Sequence, residues 1–421
     1  MAGLLAVSLL AAAPSFVFWN RQGVFVTNAT LPFTYGALWQ ALVWVRTGRG
    51  RHLVLAAFGA GCALYAKLLA VWILGPAGLL LGAWLLGRKL RPAQVVDPNA
   101  LHAPLLSPRL ALATLAAGLL PLLPFLFFNL QTQGTLQRVT GNLTRSYYGV
   151  NNLDLLGNLP VRLGQVVTVL RGDHFWYLGG LHANGAAPWL AGAMILAAFL
   201  WGGRRLLGLP LLLLATGVIA SLFTVSDLFI THYALLHPLL AGLVALAGAH
   251  LWTERPPARS ILQQVRPWLL SGALVVWLLL DLSASLAYHR DLSRSGGLAD
   301  HSDASYHLAY HLRYNGLGAP IVLDWGMEAT VRYLTAGTVR PIEIFGYERL
   351  DAPDDGFALR LGMFLENPDN VYLLRAPGSE VFQGRREAFF TQAQLTGRTP
   401  HLERTFTQRD GTPLFELWRV Q

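Results

Sequence analysis

The sequence predicts an α-helical polytopic membrane protein that ends in a small extracytoplasmic α/β domain. Three observations carry this. Apolar runs such as Leu110–Phe128, Leu228–Trp252 and Trp268–Ala287 approach or exceed the roughly 20 residues that cross a bilayer as a helix. The basic clusters Arg46/Arg49/Arg51, Arg88/Lys89/Arg91, Arg109, Arg204/Arg205 and Arg255/Arg259/Arg266 all fall on one side of the alternating runs. Short loops rich in Lys and Arg stay in the cytoplasm, so the long segments face outward. From about Ser302 the apolar runs give way to short strands alternating with helices, the pattern of an α/β domain.

Composition agrees. Of 421 residues, 53% are hydrophobic and only 13% charged, which excludes an ordinary soluble domain. Up to Tyr288 there are 18 Lys+Arg against 6 Asp+Glu, and from His289 onward 14 against 17. The basic excess belongs to the membrane part, where cytoplasmic loops account for it. The soluble part is slightly acidic, which argues against nucleic acid as a partner. Cys62 is the only cysteine; it allows no intrachain disulfide and no cysteine-based metal site.

The expected domains are a multi-helix membrane domain over 1–288, with a long outer loop over 129–187, and a soluble domain over 289–421. Gly3–Phe18 is expected to run outward as a first membrane helix; it lacks the positive start of a signal peptide. Asn20–Pro32 is expected as an outer loop and Phe33–Val45 as the return. Leu53–Ala66 and Leu68–Leu86 have arginines at both far ends, which predicts a hairpin with Lys67 near its tip. Trp189–Trp201 descends, Leu206–Leu222 ascends, Leu228–Trp252 descends and Trp268–Ala287 ascends. In the last domain, helices are expected at Tyr306–Tyr314, from Met327 and at Phe382–Leu395. Strands are expected at Ile321–Leu323, Ile342–Ile344, Val371–Leu374 and Leu414–Val420.

A charge inside a membrane is costly and marks function by default. Lys67 is the one charge this reading puts inside the apolar spans. Its ammonium either holds a phosphate or snorkels to the interface. His232 and His237, in Asp227-Leu-Phe-Ile-Thr-His-Tyr-Ala-Leu-Leu-His-Pro238, stand at the expected outer start of a helix. A helix N-terminus with basic side chains suits an anion; interfacial histidines satisfied by water are the alternative. Arg138, Arg145, Arg162 and Arg171 in the outer loop are either further ligands or solvated. Asp154 and Asp173 are its carboxylates, each a general base or a turn residue and cap. Asp324, after a strand and before a helix, is expected as an N-cap. Asn28-Ala-Thr and Asn142-Leu-Thr match a glycosylation sequon.

Ala13-Pro-Ser-Phe-Val-Phe-Trp-Asn-Arg-Gln-Gly-Val-Phe, Leu31–Arg46, Gly59-Ala-Gly-Cys-Ala-Leu-Tyr-Ala-Lys67 and Thr231-His-Tyr-Ala-Leu-Leu-His-Pro together resemble GT-C glycosyltransferases. The likeness is to the protein O-mannosyltransferase and aminoarabinose-transferase group and covers roughly Met1–Ala287. It implies transfer of a sugar from a polyprenyl-phosphate donor to an acceptor on the outer face of the cell membrane. Lys67 and His232 carry over as donor-phosphate contacts. The family's base is an aspartate in its first outer loop, and Asn20–Pro32 holds no Asp or Glu. The chain matches the family from about its third or fourth helix, so the catalytic segment is expected to be missing or inactive.

The implied partners are a polyprenyl-phosphate-linked sugar, membrane lipid and an acceptor. No cofactor is implied, and a divalent metal is left open. A lipid-linked-sugar transporter or flippase, and a non-catalytic membrane scaffold, are the alternatives.

Overall fold

A computed structural model describes residues 1–21, 26–90, 106–141, 151–223, 230–253 and 261–421. Arg91, Arg145, Asp227, Arg255, Arg259 and the Asn142 sequon lie outside them, as do the side chains of Arg88, Lys89 and Arg138. Two compact units divide the chain: Met1–His174 with Ala183–Ser285, and Phe175–His182 with Leu286–Gln421.

The first unit is helical. Its helices are α1 (Ala2–Ala12), α2 (Pro14–Arg21), α3 (Val26–Thr47), α4 (Gly50–Ala66), α5 (Val71–Leu90), α6 (Pro108–Leu119), α7 (Leu123–Thr132), α8 (Gly134–Gly141), α9 (Leu155–Arg171), α10 (Ala187–Ala198), α11 (Arg204–Leu222), α12 (His237–Thr253) and the larger part of α13 (Ile261–Ser295). Among the described residues four stretches are long and apolar enough to cross a membrane: Leu68–Gly87, Pro108–Thr132, Ala187–Leu222 and Val265–Ser295. Counting the bent pair α1–α2 as one span makes five.

Several boundaries differ from the expected ones, each for a local reason. Gly3–Phe18 is not one helix: α1 and α2 meet at 67°. Pro14 cannot donate to α1, and it holds Ala13 in an extended conformation (φ −64°, ψ 121°). The expected loop Asn20–Pro32 is largely helical, because α3 starts at Val26. Thr27, Thr30 and Thr34 recur at helical spacing and are all buried, so this stretch has one inward face. The expected descent from Leu228 begins as a helix only at His237; Ile230–Leu235 before it is a 3₁₀ segment. Pro238 fits that start, since a first-turn residue needs no N–H. Between α10 and α11, Trp201 (φ −93°, ψ 35°) and Gly202 (φ 90°) break the helical backbone.

The expected Lys67 hairpin is also revised. The chain does break at Lys67, which is extended (φ −159°, ψ 123°). Its arms, however, pack mainly on other partners: α4 on α3 and α6, α5 on α11 and to a lesser degree on α3. Small residues decide this, as close helix approach in apolar surroundings requires. A Cβ at Gly61 would lie 2.2 Å from the Gly118 carbonyl oxygen of α6, and one at Gly59 would meet Phe33 and Ala37 of α3.

The second unit carries a five-stranded sheet. Its helices are the end of α13, α14 (Ala304–Tyr314), α15 (Glu328–Leu334), α16 (Phe357–Leu365) and α17 (Arg385–Leu395). The strands are β1 (Ile321–Val322), β2 (Ile342–Glu343), β3 (Val371–Arg375), β4 (Pro400–Thr407) and β5 (Pro413–Val420), in the order β2-β1-β3-β5-β4. β1 pairs parallel with β2 and β3; β5 pairs antiparallel with β3 and β4. Alternation along β3 serves two cores. Val371 and Leu373 pack with Leu308, Leu312 and Val331 on the α14–α15 side. Tyr372 and Leu374 pack with Leu361 and Phe389 on the α16–α17 side.

Within this unit, Phe175–His182 is fastened to the end of α13. His182 Nε2 is 2.7 Å from Asp291 Oδ2, the Tyr288 hydroxyl donates to the His182 carbonyl at 2.7 Å, and Ser295 Oγ donates to the Leu178 carbonyl at 3.0 Å. Arg409 joins α13 to α14 by donating to the Ser293 carbonyl and to Asp303, both at 2.8 Å.

Candidate functional site

The break after α4 turns the Lys67 side chain onto α3, where its ammonium donates to Thr27 Oγ1 at 2.8 Å. Thr27 is buried and Lys67 half-buried. Among the described residues, no carboxylate stands within ion-pair distance of Lys67. His232, from the 3₁₀ segment before α12, lies within electrostatic reach of both Lys67 and Arg162. Arg162 comes from α9 and is 2% exposed; one of its Nη atoms donates to Gln165 Oε1 at 3.4 Å. The same guanidinium also reaches Tyr233, whose hydroxyl is 2.8 Å from Ser221 Oγ.

Lys67, Arg162 and His232 thus come from three separate segments of this apolar unit, and both cations act electrostatically on His232. Tyr35, one helical turn past Leu31 on α3, fixes the 3₁₀ segment by donating from its hydroxyl to the Leu235 carbonyl at 2.7 Å. An anion there would accept charge-assisted hydrogen bonds from the ammonium and the guanidinium.

The remaining sequence candidates go elsewhere. His237 is buried against the edge of Phe16, within charge reach of His174, and lines an internal cavity with Asp281. Asp154 caps α9, accepting from the Gly157 N–H at 3.0 Å. Asp173 pairs with Arg171 at 2.9 Å. Arg138 is described only by its backbone, in α8, and Arg145 lies outside the described residues. Asp324 does not cap a helix: its carboxylate accepts from the backbone N–H groups of Trp325, Val381 and Phe382 at 2.7, 3.1 and 3.0 Å. Burial nevertheless holds its carboxyl above the ordinary value.

Two buried charges escaped sequence reasoning. Arg162 was one of four equivalent loop arginines by sequence, and only the packing of α9 distinguishes it. Asp281 corrects the expectation that Lys67 stands alone among charges in the apolar spans. It lies inside Val265–Ser295 and is 1% exposed, and it accepts from Asn184 Nδ2 and Trp277 Nε1, both at 2.8 Å. The signal was one aspartate within a long apolar run. Among the described residues no group of three or more His, Cys, Asp or Glu side chains is placed to hold a metal ion.

No family model, curated protein or solved structure matches the chain.

Proposed function

We propose that this chain is a multi-pass membrane protein that binds the phosphate of a polyprenyl-phosphate-linked sugar at Lys67, Arg162 and His232. In this reading it is a GT-C-type glycosyltransferase acting on the outer face of the cell membrane. The basic loops face the cytoplasm, and the unit ending at Gln421 is extracytoplasmic. Convergence of the three basic groups carries the proposal. They sit in apolar surroundings, and a lipid phosphate delivers an anion to that depth without leaving the bilayer.

A specific observation favours a second, non-catalytic reading. Among the described residues, each carboxylate of the first unit is already engaged: Asp154 with an N-terminal N–H, Asp173 with Arg171, and Asp281 with Asn184 and Trp277. In this reading the chain binds a lipid-linked sugar without breaking its phosphate bond.

The test uses the full chain in lipid nanodiscs and a polyprenyl monophosphate. Lys67→Met should weaken binding at least tenfold, while Arg171→Met leaves it unchanged. Equal affinity of wild type and Lys67→Met overturns the phosphate site. A transfer assay with the same chain and a polyprenyl-phosphate sugar separates the two readings. Turnover that Lys67→Met abolishes supports the transferase; tight binding without turnover supports the binder.

A further inference from the structure

The first unit encloses a cavity of about 10 Å³ among Leu9, Ala13, Leu170, His237, Trp277 and Asp281, room for about one water molecule. Its wall is apolar except for His237 and Asp281. His237 is 3% exposed, and its Nδ1 is buried without a hydrogen-bond partner. The Asp281 carboxylate accepts one hydrogen bond on each oxygen, from Asn184 and Trp277. A carboxylate has about four acceptor sites, so half remain. Among the described residues no Lys or Arg lies within ion-pair distance of Asp281.

Buried polar atoms in native proteins find partners, in protein or in ordered water. A water needs two to four polar neighbours, and this cavity offers two that are complementary. We infer that the cavity is a proton-binding site, in which one water bridges the His237 imidazole and the Asp281 carboxyl and the pair holds a single proton.

The proton has two resting places. On Asp281 it makes a neutral carboxylic acid that donates to the water, which donates to the unprotonated nitrogen of the His237 ring. Passed through the water to that nitrogen, it leaves an imidazolium facing a carboxylate. Neither arrangement changes the net charge of the cavity, so the transfer needs no counter-ion. Releasing the proton leaves a carboxylate with no cation beside it, a state this interior disfavours. The other titratable group facing the pair is His174, whose charge reaches His237. Leu9 of α1, Ala13 after it, Leu170 of α9 and Val244 of α12 contribute none. The site is independent of the phosphate-binding reading and shares no residue with it.

Infrared difference spectra of the full chain in nanodiscs, acid minus alkaline, test this. The expected spectrum contains a carboxylic C=O band and a water O–H stretch that shifts in H₂¹⁸O. Asp281→Asn should abolish the band, and His237→Phe should shift its frequency and remove the water stretch. A band unchanged by Asp281→Asn, or unmoved by His237→Phe, overturns the site. Should Asp281→Asn fail to fold, His237→Phe alone decides by the same criterion. Ring-¹⁵N spectra give a second readout. One of the 12 histidines should titrate in step with the infrared band, and absence of that resonance in His237→Phe assigns it. Its persistence there overturns the proposal.

Discussion

Lys67 and Thr27 are 40 positions apart in the chain, and the ammonium of one donates to the hydroxyl of the other at 2.8 Å. The contact exists because α3 starts early enough to bury Thr27 and because the backbone straightens at Lys67. It leaves two of the three ammonium protons for other acceptors. Thr27→Val should therefore weaken polyprenyl-phosphate binding about fivefold, on the order of 1 kcal/mol, by removing the group that aims Lys67. Thr27→Ser should retain it. Titration of both variants in nanodiscs checks this, and a loss in Thr27→Ser equal to that in Thr27→Val contradicts it.

Gly61 of α4 packs directly against the Gly118 carbonyl of α6. Gly61→Ala places a methyl group against the Gly118 carbonyl, and two backbones must part to admit it. We expect a loss of ~1–3 kcal/mol, seen as a lower midpoint of thermal unfolding in detergent. Gly82→Ala, where an added Cβ meets nothing within 4 Å, is the control and should not lower the midpoint.

In the second unit, Gly346 has φ +72°, and a Cβ there would lie 1.7 Å from Asp354 Oδ2. Gly346→Ala thus combines left-handed strain with displacement of the Asp354–Arg360 pair, and should cost about 2 kcal/mol or more. Gly378→Ala, at φ +83° with open space around it, carries the backbone strain alone. Hydrogen exchange of the amides around 344–360 should rise sharply in the first variant and little in the second.

Asp354 accepts two hydrogen bonds from one Arg360 Nη, at 3.0 and 2.8 Å, and these hold its carboxyl below the ordinary value of 3.8. A lowered folded value means that the pair stabilises the folded state above about pH 3.8 and that this contribution is lost as pH falls through the lower folded value. Exchange protection of the Asp354–Phe357 turn should be flat from pH 7 to pH 5 and fall in stronger acid. In Asp354→Asn the turn should be less protected throughout, and the acid-dependent step should be absent.

A reporter fused after Gln421 tests the orientation. An enzyme active only outside the cytoplasm should be active there, and one active only in the cytoplasm should be silent. The reverse pattern overturns the placement of Arg204, Arg205 and Arg266 on the cytoplasmic side.

Much of the second unit was legible because its signals are local. The Tyr306–Tyr314 helix, β1, β2, β3 and β5 stand within a residue or two of their expected limits. β4 was missed: its exposed His401, Leu402, Glu403 and Arg404 mark an edge strand with little inward alternation, and its evidence is the register with β5. In the first unit, apolar runs located helices but could not choose their partners. The Gly59/Gly61 face was read as part of a motif, whereas it works as a packing surface. Lys67 was legible as a lone cation in an apolar run, and Asp281 carried the same signal. The difference between Arg162 and Arg171 was not legible, because burial of one and an ion pair for the other depend on the rotation of α9.

The packing of α5 against α11 rather than α4 also bears on biosynthesis. α11 leaves the ribosome roughly 130 residues after α5, a delay on the order of ten seconds at ~5–20 residues per second. Through that interval α5 has only its smaller contacts with the earlier helices. Hydrocarbon tolerates such a wait, since lipid tails solvate an apolar helix as well as leucine side chains do, whereas water would drive it to aggregate. In the proposed membrane setting the α5–α11 contact is therefore among the late steps of assembly.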